Sequence, residues 1–376
     1  MSRTLRDVAA LAFGGIALCC FAGCGGTGST PNPSPSPTPG SGAAYQDRAE
    51  GAARYFLDHY VDPDGRVVRH DQGGDTVSEG QAYGMLLAAA IGDSRRFDAI
   101  WAWTQDHLRN PGGLFASHWV NGRVVDPQPA SDADLDTSRA LLVASCRFHR
   151  PALRQQAVAL GNDIMNVEVT SFRGAPVLTA GPWAITPRVI VDPSYFDPAT
   201  FEMLGAASGD SRWESLAASS RSIVSDLMTA PSRLPPDWVL LENDKIVPIG
   251  SPSDLPATPE FGFDAVRVLI RMAEDPEPAG RSIAARAWSV FEGQDPATLP
   301  VLHTLSGQPV SNIRNPVVLV AAAAAAGAAG HTAARDGLLD EAEAIDNHPS
   351  TRTYYGAAWV ALGRIMLQTK LLDACS

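Results

Sequence analysis

The chain has 376 residues, 45% hydrophobic and 19% charged, which describes an ordinary globular protein with a sizeable core, arranged as one large domain or two smaller ones. A net charge of -12, with no cluster of Lys or Arg, argues against a nucleic-acid partner and suits a neutral or cationic ligand. There are five Cys, three of them in the first 24 residues, with no Cys-x-x-Cys, no His-Glu-x-x-His and no His pair four apart; no metal site and no cofactor are expected.

Residues 1–24 read as a secretion signal. Arg3 and Arg6 give a basic start, and Val8 to Phe21 form an apolar core too short to span a membrane comfortably. Phe21-Ala22-Gly23-Cys24 ends it like a lipobox, with Cys24 as the lipidated first residue; Phe21 stands where Leu is usual, which leaves plain secretion open. Residues 25–43 are a Pro/Ser/Gly tether, extended and unable to pack a core. The expected location is therefore secreted or membrane-anchored, at the periplasm or cell surface, with the bacterial membrane as a partner through the lipid. Residues 44–376 show no compositional break and read as a single domain, expected to be a monomer.

The tether gives way to helical patterning at Tyr45. Tyr45 to Tyr60 is amphipathic, with Ala49, Ala52, Ala53, Phe56 and Leu57 on one face. Asp62-Pro63-Asp64-Gly65 looks superficially like a calcium loop, but Arg66, Val68 and His70 fill the later positions, so it reads as a tight turn. Ser78-Glu79-Gly80-Gln81 then opens a helix that is apolar on nearly every side as far as Ile91, and such a helix is buried. Ser78 with Gln81 has the spacing of a capping box. Glu79 sits in the first turn, where the helix dipole favours the anion while burial or a neighbouring carboxylate favours the acid.

Phe97 to Leu108 forms the next helix, followed by a loop from Pro111 to Pro129 that carries Trp119. Further helices are expected at 131–148, 150–161, 197–207, 211–229, 263–274, 280–292, 314–328, 331–344 and 351–370, with small hairpins near 176–178 and 239–241. About a dozen helices and few strands describe an all-α fold, and alternating helices of this length suit a ring of helical hairpins. Val317 to Ala329 is almost entirely Ala and Val, so its neighbours can approach closely.

Two more stretches repeat the pattern around Glu79. In Ala130-Ser131-Asp132-Ala133-Asp134, Ser131 reads as an N-cap and Asp132 takes the first-turn position. In Phe261-Gly262-Phe263-Asp264, the acid begins another apolar helix. The dipole alone accounts for an acid in a first turn. Three acids on three helices too apolar for a surface are harder to dismiss. If those helices are neighbours in a ring, their N-termini gather carboxylates at one mouth. Paired carboxylates of unequal proton affinity are what glycoside hydrolysis needs.

At these residues the chain resembles glycoside hydrolase family 8 over most of 45–370, most specifically in Ala130-Ser131-Asp132-Ala133-Asp134. Ser78-Glu79-Gly80-Gln81-Ala82-Tyr83-Gly84-Met85 and Phe263-Asp264-Ala265-Val266-Arg267-Val268 add order and spacing, and Pro193-Ser194-Tyr195-Phe196 and Pro236-Asp237-Trp238-Val239 look like further family segments. The endoglucanases that accompany bacterial cellulose synthesis are the most similar group. The resemblance implies an (α/α)6 toroid of six hairpins and an inverting endo-β-1,4-glucanase acting on a cellulose-like polysaccharide. It implies Glu79 as general acid, Asp264 as the base activating water, Asp132 as a residue that binds and distorts the central sugar, and Tyr195 placing that sugar or the water. An inverting pair stands roughly 6.5–9.5 Å apart. Asp136, Thr137 and Ser138, where relatives more often carry bulkier apolar residues, and Phe263, where many have Tyr, leave substrate preference open.

The aromatics give a weaker signal. Trp119, Trp183 and Trp238 fall in expected loops, where they serve either as sugar platforms or as packing; Asp237 adjoins the last of these. Trp101, Trp103, Trp288 and Trp359 have helical spacing and read as core. Arg267, one turn after Asp264, either pairs with a cleft acid or is a solvated or structural Arg. Xylan, mixed-linkage glucan and chitosan remain alternative substrates. A non-catalytic glycan-binding lipoprotein of an exopolysaccharide system, or a purely structural toroid serving protein partners, are alternatives outside the enzyme class.

Overall fold

The computed structural model describes residues 42–253 and 257–373. The signal, Cys24 and the tether as far as residue 41 lie outside the described residues, as does Cys375; Gly42 and Ala43, expected in the tether, already belong to the first helix.

The helices are α1 (Gly42–Tyr60), α2 (Ser78–Ile91), α3 (Ser94–Leu108), α4 (Ser131–Arg147), α5 (Pro151–Val167), α6 (Pro198–Ser208), α7 (Arg212–Leu227), α8 (Ala265–Glu274), α9 (Pro278–Arg286), the single turn α10 (Trp288–Phe291), α11 (Pro316–Ala328), α12 (Thr332–Asn347) and α13 (Tyr354–Gln368). Six of them, α2, α4, α6, α8, α11 and α13, form an inner ring in which each packs on the next and α13 closes on α2. Each has an outer partner: α3, α5, α7, α9, α12 and, for α13, the first helix of the domain. This is an (α/α)6 barrel, the ring of hairpins expected from the patterning.

Side-chain chemistry decides which helix goes where. The outer α3 buries one stripe, Phe97, Ile100, Trp101, Trp103, Thr104 and Leu108, at helical spacing. The inner α11 is buried without interruption from Pro316 to Ala326 and has almost no amphipathic asymmetry. Its Ala and Val side chains let α13 come very near. A Cβ on Gly363 would lie 2.2 Å from Val320 Cγ1, so only glycine fits at that crossing. Trp101 and Trp103 are core, as expected, and Trp359 is fully buried; Trp288 is half-buried against His331.

The connections are asymmetric. Each of the first five inner helices turns into its outer partner through two or three residues on the floor of the barrel; Gly92, left-handed at φ +78°, closes α2 and Asp93 caps α3 by accepting from Arg96 N. Every return from an outer to an inner helix is longer, and these returns form the rim. The stretch from 111 to 129, expected as a loop, holds β2 (His118–Val120) and β3 (Arg123–Asp126), which join β1 (Thr76–Val77) in an antiparallel sheet. A second hairpin pairs β4 (Val169–Phe172) with β5 (Ala175–Leu178), and β6 (Val189–Val191), β7 (Trp238–Glu242) and β8 (Lys245–Ile249) form a third sheet. The two expected hairpin sites fall in β5 and β7. The Asp62–Gly65 turn is present, with Gly65 at φ +96° and no room for a Cβ against the Ala99 carbonyl.

Three local expectations are corrected. The stretch 280–292 is two helices, α9 and α10, divided at Ala287. Neither the Ser78–Gln81 capping box nor the Ser131 N-cap forms. The Gln81 side chain is fully buried and accepts from Val67 N at 2.6 Å while donating to Gly65 O and Thr104 Oγ1. It fastens the 62–67 loop to α3 instead of returning to the start of its own helix. Ser131 donates to the Thr179 carbonyl, and Asp134 accepts from Phe115 N at 3.0 Å. Buried polar groups of the rim claim these side chains, because an unpaired one would cost about 1–3 kcal/mol.

Candidate active site

Because all six inner helices run the same way, their N-termini converge on the rim. Glu79 is the second residue of α2 and Asp132 the second residue of α4. Asp264 immediately precedes α8, which itself begins at Ala265. Glu79 and Asp264 line one open cleft, together with Trp183, Tyr195, Trp238 and Arg267. Asp132 lies just beneath, 2% exposed.

The floor of the cleft is organised by Arg267, which is 4% exposed and so not a solvated residue. Its Nη1 donates to Asp132 Oδ2 at 2.7 Å and its Nη2 to Asp264 Oδ1 at 3.0 Å. Its guanidinium also lies over the Tyr195 ring, 5.3 Å from the centroid. A third carboxylate, Asp192, places Oδ2 3.6 Å from the same Nη2. One guanidinium thus serves three carboxyl groups. They cannot all be anions in so little water, and burial raises each above the ordinary carboxylate range. Asp192, 1% exposed and with the longest contact to Arg267, is pushed up well above its usual value and is the one that keeps its proton. Asp264 is shielded less, with 22% of its side chain exposed, and bonds to Arg267 and Trp238 hold it down.

Glu79 is in the opposite situation. It is half-buried at the cleft wall, with no ion-paired cation among the described residues, and it accepts a long hydrogen bond from the Ser78 hydroxyl at 3.5 Å. Burial and then the Asp132 charge push it up to about 7, against the pull of Arg69 and Arg267. The two cleft carboxyls therefore divide the work: one holds a proton near neutrality and the other is held by a cation. That is the pairing a proton donor and a proton acceptor require.

The remaining sequence-derived residues separate into two groups. Tyr195, Trp183 and Trp238 reach the cleft. Trp183 sits in a single 3-10 turn, and Trp238 is the first residue of β7, edge-on to Tyr195 at 6.4 Å. Trp119 does not line the cavity. It is a β2 residue, half-buried edge-on to Trp103 and covered by the Arg66 guanidinium at 4.5 Å, so its faces are occupied by protein. Asp237 does not line it either. Its Oδ1 accepts from Gly262 N and Ala265 N at 2.9 and 2.8 Å, capping α8 from the residue just before β7, and this frees Asp264 from the capping role. Burial and Asp264 push Asp237 up to about 7.

Asp136, Thr137 and Ser138 lie within the ring below the cleft, each no more than 1% exposed. Asp136 pairs with Arg271 at 2.7 Å, one helical turn below the Asp132–Arg267 rung, and Arg271 also bonds Asp197 at 2.6 Å. Asp136 faces α8 and Thr137 and Ser138 are buried within the ring, so none of the three lines the cleft. Phe263 packs near Tyr355, whose hydroxyl donates to the Phe263 carbonyl at 2.7 Å.

Two cleft features were missed. Asp192, next to the Pro193-Ser194-Tyr195 segment, was readable as a cap: it accepts from Ser194 N at 2.8 Å and fixes the turn that presents Tyr195. Arg69 and His118 line the Glu79 side of the cleft, joined through Asp75, and no local pattern marks them.

Trp183 depends on Gly181. A Cβ there would lie 2.5 Å from the Pro129 carbonyl and 2.6 Å from the indole Nε1. Gly181→Ala displaces the ring from the cleft. The expected result is a KM raised about 10-fold on oligosaccharides, the loss of one stacking contact, with kcat changed less than twofold. Steady-state kinetics check it.

The model of glycosyl hydrolases family 8 matches residues 43–369. The chain is 34% identical over 219 residues to a probable endoglucanase from Novacetimonas hansenii, covering 57% of this chain and 63% of that protein. It is 27% identical over 241 residues to an endoglucanase from Cellulomonas uda, covering 61% and 65%. The matched stretch thus spans somewhat under two-thirds of these relatives. Among solved structures it is similar to the endo-β-1,4-glucanase CMCax from Acetobacter xylinum, with a TM-score of 0.70 at 27% identity, over 85% of this chain and 97% of that one.

Proposed function

The chain belongs to glycosyl hydrolases family 8, and on that premise we propose that it is an inverting endo-β-1,4-glucanase acting on cellulose-like chains. One observation carries the reading: Glu79 and Asp264 face the same cleft, the first holding a proton near pH 7 and the second gripped by Arg267. Glu79 protonates the glycosidic oxygen as the bond to the anomeric carbon breaks. Asp264 takes a proton from a water molecule whose oxygen attacks that carbon from the opposite face. The products are a free hydroxyl on the departing sugar, carrying the proton from Glu79, and an inverted hemiacetal; Asp264 ends with a proton from the water. Asp132, fixed by Arg267, and Tyr195 hold the central sugar between the two carboxyls. Trp183 and Trp238 supply flat faces for neighbouring sugars.

The β-1,4-glucan preference rests on relatives named as endoglucanases and on the named endo-β-1,4-glucanase structure. Reducing-sugar release from soluble cellulose, mixed-linkage glucan, xylan and chitosan tests it. The cellulose derivative is expected to be cut fastest, and NMR of early product is expected to show the α-anomer. A β-anomer first overturns the single-displacement mechanism, a faster rate on another polysaccharide reassigns the substrate, and no cleavage of any of them overturns hydrolysis.

The same proposal covers location. The signal pattern with Cys24 favours export and lipidation. Cys146 is disulfide-bonded, a state that persists in oxidising compartments. Mass spectrometry of the membrane fraction is expected to find a diacylated Cys24 at the mature N-terminus; an unlipidated N-terminus in the soluble fraction would indicate plain secretion.

A further inference from the structure

The Arg69–Asp75–His118 cluster is outside the machinery described so far, yet it forms part of the cleft wall beside Glu79. Arg69 Nε donates to Asp75 Oδ1 at 2.8 Å and Nη2 donates to Oδ2 at 2.5 Å, while His118 Nε2 lies 2.7 Å from the same Oδ2. Arg69 and Asp75 are both 7% exposed, so this is no surface pair. Their backbones are also bridged: Arg69 N donates to Asp75 O at 3.0 Å, and Gly74 N donates to Arg69 O. The short loop between them is therefore closed on itself. It runs through β1 directly into the first turn of α2, which puts Asp75 four residues before Glu79. Asp71 in the same loop accepts from Tyr354 N, which pins the loop to α13.

We propose that the Arg69–Asp75 pair is a positioning element for the proton donor: it fixes a guanidinium beside Glu79, and the Asp75 carboxylate sets how much of that positive charge Glu79 feels. The proposal rests on Glu79 as the donor. An arginine is needed near Glu79 because burial and Asp132 both favour its acid form; unopposed, they would leave it too weak an acid to give up its proton. Too much positive charge would strip the proton before substrate arrives. A guanidinium half-neutralised by a fixed carboxylate lies between these limits. The other groups facing Glu79 are Tyr83 on its own helix, Asp132 on α4, Arg267 on α8 and Tyr354 on α13. Asp126, paired with His118 between β2 and β3, and Asp264 also line the cleft. Of the two cations that act on Glu79, Arg267 is committed to Asp132 and Asp264, which leaves Arg69 as the adjustable one.

The test is the pH profile of kcat/KM, whose basic limb reports the donor. Arg69→Gln removes a positive charge and exposes Glu79 to Asp75, so the basic limb is expected to rise by about one pH unit. Asp75→Asn leaves the guanidinium unopposed, so the limb is expected to fall by about the same amount. Arg69→Lys keeps the charge and is expected to track the wild type. A purely structural cluster would lower activity at every pH or shift both limbs alike. Arg69→Gln and Asp75→Asn moving the basic limb in the same direction, or either of them leaving it in place, overturns the proposal. Should Arg69→Gln fail to fold, the Asp75→Asn and Arg69→Lys profiles decide it. Full activity in Glu79→Gln would sink the donor reading instead. Carbon-13 titration of the Glu79 carboxyl in the same variants then judges the electrostatic coupling directly, with the same directions expected.

Discussion

Glu79→Gln is expected to lower kcat/KM on a soluble β-1,4-glucan by about 10³-fold, within the range of a lost general acid. Binding of an oligosaccharide, measured by calorimetry, is expected to change less than about threefold, because glutamine keeps the shape and only the transferable proton is gone. The basic limb near pH 7 is expected to vanish from the residual activity, since the group pushed up to about 7 is no longer there. Stability changes with the opposite sign. The folded-state proton affinity of Glu79 is raised above its unfolded value, so its contribution is fully present below the unfolded pKa and is lost as pH rises through about 7. Glutamine never ionises. The variant is therefore expected to melt above the wild type at pH 8 and level with it near pH 4. Equal melting temperatures at both pH values would mean that Glu79 is not held in its acid form by the fold.

Arg267→Met removes the only cation in contact with Asp132, Asp264 and Asp192 among the described residues. Breaking a buried pair from one side leaves the other charge uncompensated, at about 3–5 kcal/mol. For a domain of this size that corresponds to a fall in Tm of roughly 5–10 °C. The cation holds these carboxyls below where burial alone would put them. Its contribution is therefore present where they are ionised, and it fades as pH falls and they protonate. The deficit is expected to be full at pH 8 and small at pH 4. Activity is expected to fall by about 10²–10³ at every pH, because Asp264 loses the bond that orients it and Tyr195 loses the guanidinium it lies over. A variant as stable as the wild type at pH 8 would show that the three acids are neutral in the native state.

The barrel was legible because its two rings obey different patterns. An inner helix such as α11 has no polar face, and an outer helix such as α3 has one apolar stripe; both facts are one-dimensional. The three carboxylates were legible for a related reason, since each marks the point where an apolar helix meets the rim. What the chain order conceals is the pairing between distant residues. Nothing near Gln81 shows that its amide serves Val67 N rather than its own helix. Nothing near Asp237 shows that it caps α8, a helix that begins 28 residues later. Trp119 has the composition of a sugar platform, and only the fold brings Trp103 and Arg66 against it. Arg267 could be read either as paired or as solvated, because one-turn spacing from Asp264 says nothing of Asp132 or Asp192, which come from other segments.

The barrel is closed by its first helix. Helix α1 packs on α13, Tyr45 donates to Asp336 at 2.5 Å, and Arg48 reaches Asp340 and Glu343, joining residues nearly 300 apart in the chain. During synthesis α1 emerges before the other helices of the barrel, and its apolar stripe of Ala49, Ala53, Phe56 and Leu57 is covered only in part, by α2, until α13 is made. The ring therefore cannot shut before α13 is made, and an arc of five hairpins must survive meanwhile with two raw edges. Long-range closure of this kind makes assembly slow. A truncation that removes only α13 would be expected to yield an insoluble chain rather than a weakened enzyme, because it uncovers the seam on both sides.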